Sequence, residues 1–169
     1  FAGDSNMPVK VGAVKGGKLG DIFANNLMQR DAQGRVIIGA DGLPMAATGD
    51  GNLEQYLLDH PIGNIQPDLL MSITPTFTYK GISLTAMFDM KFGGDIVSVS
   101  EGMATSVGTS ERTAYRGEYK TVNGVQDWYM VVPGVKADGS VNTQEVSAQK
   151  YYSTIGLYSS QKDYGEVFV

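Results

Sequence analysis

The chain contains no cysteine. That excludes disulfides, thiolate metal ligands and a cysteine nucleophile, and leaves the compartment open. There is one histidine, His60, and it precedes Pro61 in a loop, where a solvated side chain is the plain reading. No Ser-His-Asp or Cys-His constellation can be argued around it, so no catalytic residue is assigned and no enzymatic activity is expected. Charge is sparse as well. Only 18% of residues are charged, below the usual quarter, so surface solvation is thin for a soluble domain. The net charge of -5 argues against nucleic acid and anionic headgroups as partners. No apolar run approaches the ~20 residues that a membrane helix needs. The opening FAGDSNMPVK has neither a basic n-region nor an apolar h-region, and it starts at Phe1. Such a start reads as a mature, processed or excised chain.

What is present is glycine, 22 in 169 residues, and enough apolar side chains (42%) for one core. Residues 1–67 read as turn-rich. Weak strand character in VKVGAVKGGKLGDIF is broken by Gly12, Gly16, Gly17 and Gly20. NLMQRDAQGRVIIGADGLPM reads as a small hairpin turning at Asp31–Gly34, with a second turn at Asp41–Pro44. GNLEQYLLDHP predicts one helical turn after Asn52. Residues 93–165 form a second long irregular stretch. A short helix is expected at TSERTAYRGEY, capped by Thr109 or Ser110, and another at NTQEVSAQKYYSTIG, capped by Asn142 or Thr143 and ending near Gly156. DWYMVVPGVKADGSV between them reads as strand and turn. GEVFV at the end reads as a strand that has only begun.

Residues 68–92 stand apart. Leu69, Met71, Ile73, Phe77 and Tyr79 alternate with polar residues, and after Lys80-Gly81 the phase flips to Ile82, Leu84, Ala86, Phe88, Met90 and Phe92. If Lys80-Gly81 is a two-residue turn, each apolar residue meets another and Thr78 meets Ser83, Thr76 meets Thr85, and Ser72 meets Asp89. A slip of one residue mixes the faces, so a single turn length satisfies the whole pattern. Strands of this length, ~36 Å at ~3.3 Å per residue, reach about 25–30 Å when tilted, the height of an outer-membrane apolar band. A long hairpin packed on a soluble core satisfies the parity equally well. Pro75 fits neither reading easily, because it cannot donate to a ladder, and a bulge or local widening is expected there.

Five stretches carry a family resemblance: DAQGRVIIGADGLPM (31–45), IGNIQPDLL (62–70), FTYKGISLTAMFDMKFGGDIVS (77–98), VVPGVKADGSVNT (131–143) and AQKYYSTIG (148–156). In order and spacing the chain resembles the SusC/RagA-like TonB-dependent outer-membrane transporters of Bacteroidetes. The resemblance implies an all-β fold, a fragment from the later part of a barrel of about 22 antiparallel strands with long extracellular loops carrying short helices. It implies nutrient import, of oligosaccharides or peptides, with energy drawn from TonB through an N-terminal part that is missing here. A SusD-like surface lipoprotein would lid the barrel. Leu69 stands where the family has Trp. On this reading residues 1–67 are an extracellular loop region with a small hairpin, 68–92 a transmembrane hairpin, 93–165 a long extracellular loop, and 166–169 the start of the next strand. The alternative is a secreted soluble β-rich binding or adhesion module.

The expected lumen-facing residues are Ser72, Thr74, Thr76, Thr85, Asp89 and Lys91, with an inter-strand ion pair an equal prospect for the last two. Trp128 and Tyr129, in DWYM, are the candidates for ligand or partner contact, because loop aromatics stack on sugars or bury in interfaces. Packing within their own loop is the plainer alternative. No metal or cofactor is expected. Asp41-Gly42 and Asp138-Gly139 lack the ligand series of a calcium loop and read as turns. Gly16-Gly17 lacks the strand–helix context of a phosphate loop.

Overall fold

The structure, a computed structural model, describes residues 9–156 and Val169. The strand expected at 166–169 lies outside the described residues, Val169 apart. Short strands dominate, with three α-helices among the described residues. β1 (Val9–Gly12), β2 (Asp21–Ala24) and β3 (Gly63–Asn64) form one antiparallel sheet. α1 (Leu53–Asp59) starts where the sequence places it, with the Asn52 side chain accepting from Gln55 N–H at 3.2 Å. His60 ends it, exposed and stacked on Tyr56. The turn at Asp31–Gly34 also forms, but its flanks make only isolated bridges, Arg30 to Val36 and Ile38 to Pro44, in place of regular strands.

The hairpin comprises β4 (Leu69–Ile73), β5 (Thr76–Tyr79), β6 (Ile82–Thr85) and β7 (Phe88–Phe92). Leu69 faces Phe92, Met71 faces Met90, Ile73 faces Phe88, Phe77 faces Leu84 and Tyr79 faces Ile82. Lys80 and Gly81 both have positive φ, 48° and 86°, as a type I′ turn requires. The ladder lapses at Thr74-Pro75 and Ala86-Met87, yet paired residue numbers sum to the same value on both sides of the gap. No extra residue is inserted, so of the bulge or local widening expected there the bulge is absent, and the interruption takes the form of a lapse in the ladder. The cause of the lapse is chemical: Ala86 N–H donates to Pro75 C=O at 3.1 Å, and Pro75 has no N–H to return.

The later segment holds more order than its sequence suggests. α2 (Val99–Ser106), capped by Ser98, lies where no element is expected. The helix expected at TSERTAYRGEY is only a 3-10 turn at Glu111–Ala114, with Ser110 as its cap. β8 (Glu118–Val122) and β9 (Val125–Val131) form a hairpin through Asn123-Gly124, whose φ values of 51° and 82° again give a type I′ turn. β10 (Glu145–Ser147) takes the first residues of the second expected helix. α3 (Ala148–Ile155) therefore begins later and is capped by Ser147, not by Asn142 or Thr143. Asn142 is instead buried, donating to Val132 C=O at 2.9 Å and accepting from Gln144 N–H.

The core is made by the segments on either side of the long hairpin. Ile38 and Leu43 pack with Val132 and Val146; Met28 and Ala46 pack against Met130, Ala148, Tyr152 and Ile155. A third cluster joins Ala24, Leu27 and Ala47 to α1. The two segments are also joined through the main chain, Ile38 N–H to Val135 C=O at 2.7 Å and Val135 N–H to Val36 C=O at 2.9 Å. Residues expected to be separate loops thus share one folded body. No hairpin residue belongs to any of its clusters.

Candidate functional site

Two surfaces carry the candidate residues. The first is the long hairpin. The Ala86–Pro75 bond marks that pair as hydrogen-bonded, and antiparallel ladders alternate bonded with non-bonded pairs. The apolar residues therefore occupy the bonded pairs and the polar residues the non-bonded ones, where side chains approach more closely. Thr76 and Thr85 accordingly bring their hydroxyls to 3.0 Å, as do Thr78 and Ser83. Ser72, Thr74, Thr76, Thr85, Asp89 and Lys91 all fall on this one face by register. Among the described residues Asp89 faces Ser72 and Lys91 faces Leu70, so neither meets an opposite charge across this ladder. The other face is open. Phe77 is 68% exposed and Ile82 76%, and Leu84, Phe88 and Phe92 are exposed too.

The root of the hairpin is clamped. Asn64, just before it, and Asp95, just after it, exchange two bonds: Asn64 N–H to the Asp95 carboxylate at 2.8 Å, and Asp95 N–H to Asn64 C=O at 2.7 Å. Gly93 turns with φ 76° where a Cβ would strike the Asp68 carboxylate. The IGNIQPD and GGD stretches therefore serve as the collar of the hairpin.

The second surface is a pocket of about 430 Å³, lined by Ser106, Thr113, Arg116, Asp127, Trp128 and Tyr152 among others. Trp128 forms one wall and packs its ring against Tyr119 across the ladder, centroids 5.3 Å apart. Tyr129 is not among the lining residues. It is half-buried on β9 and directs its hydroxyl to Val125 C=O at 3.4 Å, so the two candidates are parted. The Asp127 carboxylate accepts from Ser147 Oγ at 2.6 Å and from Trp128 N–H at 2.7 Å. Tyr152 donates to Tyr115 C=O at 2.5 Å, beside Arg112 C=O at 3.1 Å. Burial pushes the pKa of this phenol up, and that of Tyr151 as well, so both stay neutral at ordinary pH. Arg116 donates through Nε to Thr113 C=O and through Nη2 to Gly108 C=O, at 3.1 and 3.0 Å. Residues 108, 113, 116 and 152 have no regular spacing. The 3-10 turn brings them together, and periodicity gives no signal for it.

Asp41 and Asp138 behave as turn residues. Asp41 accepts from Leu43 N–H, and Asp138 from Ser140 N–H and Oγ, whose bonds hold the Asp138 carboxyl below the usual carboxylate range. Among the described residues, no group of three metal-ligating side chains converges.

By fold, the described chain is a β-rich protein with a few short helices, none long and apolar enough to cross a membrane, which says nothing of crossing by strands. The chain matches no protein-family model, and a search of curated proteins gives no match.

Proposed function

We propose that this chain is part of the wall and outer mouth of a SusC/RagA-like, TonB-dependent transporter in the outer membrane of a Bacteroidetes cell. One observation carries the reading. The hairpin keeps a single register over eleven residues per strand, and its wholly apolar face lies outside every core cluster among the described residues. Removing such a face from water yields about 25 cal/mol per Å², so an exposed band this long calls for a covering medium. Lipid fits its height, and the hydroxyl face suits a wet lumen. The folded body then sits at the outer rim as the docking surface for a SusD-like lipoprotein. The role is passage of a polar solute, oligosaccharide or peptide, without chemistry on it. TonB would act through segments outside this chain.

The lack of native cysteine makes the test clean. Single cysteines at Leu84 and Thr85 are labelled in proteoliposomes with a charged maleimide and with a lipid-borne quencher. The proposal expects aqueous labelling at Thr85 and lipid quenching at Leu84. Equal aqueous labelling at both positions sinks it and favours the soluble binding or adhesion module.

A further inference from the structure

Arg116 sits in a chain of net charge -5, yet makes no ion pair among the described residues. The neighbouring Arg112 reaches Glu101, and Lys120 reaches Glu145 and Glu118. The guanidinium of Arg116 is held by two main-chain carbonyls, which fix its plane and neutralise none of its charge. Those bonds use Nε and one edge of Nη2, and Nη1 finds no acceptor among the described residues. Arg116 is exposed at the pocket, and a guanidinium held by two carbonyls presents its remaining N–H groups as a fork for a carboxylate.

The remaining walls narrow the ligand. Trp128 lines the pocket and is 41% exposed, and an indole there suits a ring with a flat apolar face. Ser106, Thr113 and Gln149 also line the pocket; the Ser106 and Thr113 hydroxyls already donate to Met103 and Ser110 C=O. Asp127 is a further lining residue; its carboxylate is held by Ser147 Oγ and the Trp128 N–H, and its negative charge repels an acid. The ligand is thereby oriented, with its acidic end toward Arg116. We infer that this pocket binds a small carboxylate carried on a ring, the carboxylate on Arg116 and the ring face on Trp128. Aromatic acids and sugar acids share that chemistry. The inference concerns the folded body and holds whether or not the hairpin faces lipid.

Trp128 is the one tryptophan of the chain, so its emission reads the pocket directly. The 169-residue chain in detergent is titrated with benzoate against benzamide, and with glucuronate against glucose. At least one acid should change the emission saturably while its neutral twin does not, and the responding pair says which kind of ring is taken. Arg116→Gln should weaken that acid by about tenfold to a hundredfold, the loss of a charge-assisted contact. Should Arg116→Gln lose the native circular dichroism, the acid-to-neutral comparison on the unaltered chain decides alone. The inference is overturned if neither acid saturates the signal by about 10 mM, a dissociation free energy of only ~2.7 kcal/mol. It is equally overturned if a neutral twin binds as well as its acid, or if a folded Arg116→Gln variant binds unchanged.

Discussion

Gly134 is the point where the joint between the two segments is tightest. A Cβ there would lie 2.6 Å from Val36 O and 2.7 Å from Ile38 Cγ1, and one of these neighbours is main chain. Gly134→Ala therefore has to push residues 36–38 away from 134–135. Overpacking of this kind costs about 1–3 kcal/mol. The displacement also stretches the two bonds between Val36, Ile38 and Val135, each worth about 0.5–1.5 kcal/mol. The expected loss is about 3 kcal/mol, or ~6–12 °C in Tm for a chain of this size. Gly139→Ala is the control. Its Cβ meets nothing within 4 Å, so only the strain of its φ of 83° remains, about 1–2 kcal/mol. Urea unfolding followed by Trp128 emission and far-ultraviolet circular dichroism compares the two. If Gly134→Ala costs no more than Gly139→Ala, the segments are not locked together as described.

Tyr152→Phe removes the donor from the Tyr115 and Arg112 carbonyls and should cost about 1–2 kcal/mol in the same unfolding assay; a loss below a few tenths means water replaces that donor. Lys80→Asn places a residue tolerant of positive φ in the type I′ turn, and should slow amide exchange at Ile82; faster exchange contradicts the turn assignment. Asp31 tests pH dependence. Some loss of hydration raises its pKa, but bonds from the Arg35 main chain and side chain and from Gln33 N–H outweigh it, and the folded value lies below the ordinary 3.8. A lowered pKa means stability that is present above 3.8 and lost as pH falls through the folded value. Protection factors at Gln33 and Arg35, corrected for the intrinsic slowing of amide exchange in acid, should therefore fall on acidification, and fall less in Asp31→Asn; a pH-independent ratio of protection factors between the two proteins refutes the assignment.

The long hairpin was legible because strand parity is a strict code: two residues per repeat and one turn length leave one register. Of the bulge or local widening that Pro75 suggests, the bulge does not form, since a missing N–H interrupts the bonds without changing the count of residues. Asn123-Gly124 is as strong a turn signal as the chain holds, yet the β8–β9 hairpin gives no clean pattern, because its alternation is broken by Gln126 and Asp127. The boundary at Ser147 is hidden in the sequence for another reason. EVS pairs with β9 through contacts that only the fold supplies, so the helix cap shifts past Asn142. The pocket was half legible. Trp128 stands out by rarity, whereas Arg116 gains its meaning from two carbonyls that no spacing rule brings near it.

The Asn64–Asp95 clamp has a consequence for how such a molecule is assembled. It holds the two ends of the long hairpin together from within the body, so the entropy of closing that excursion is already met at the root. The hairpin is then an outgrowth on a shared base. Its length can change by whole pairs of residues without altering a contact in the body, and the body can complete its own folding before or after the hairpin finds its surroundings.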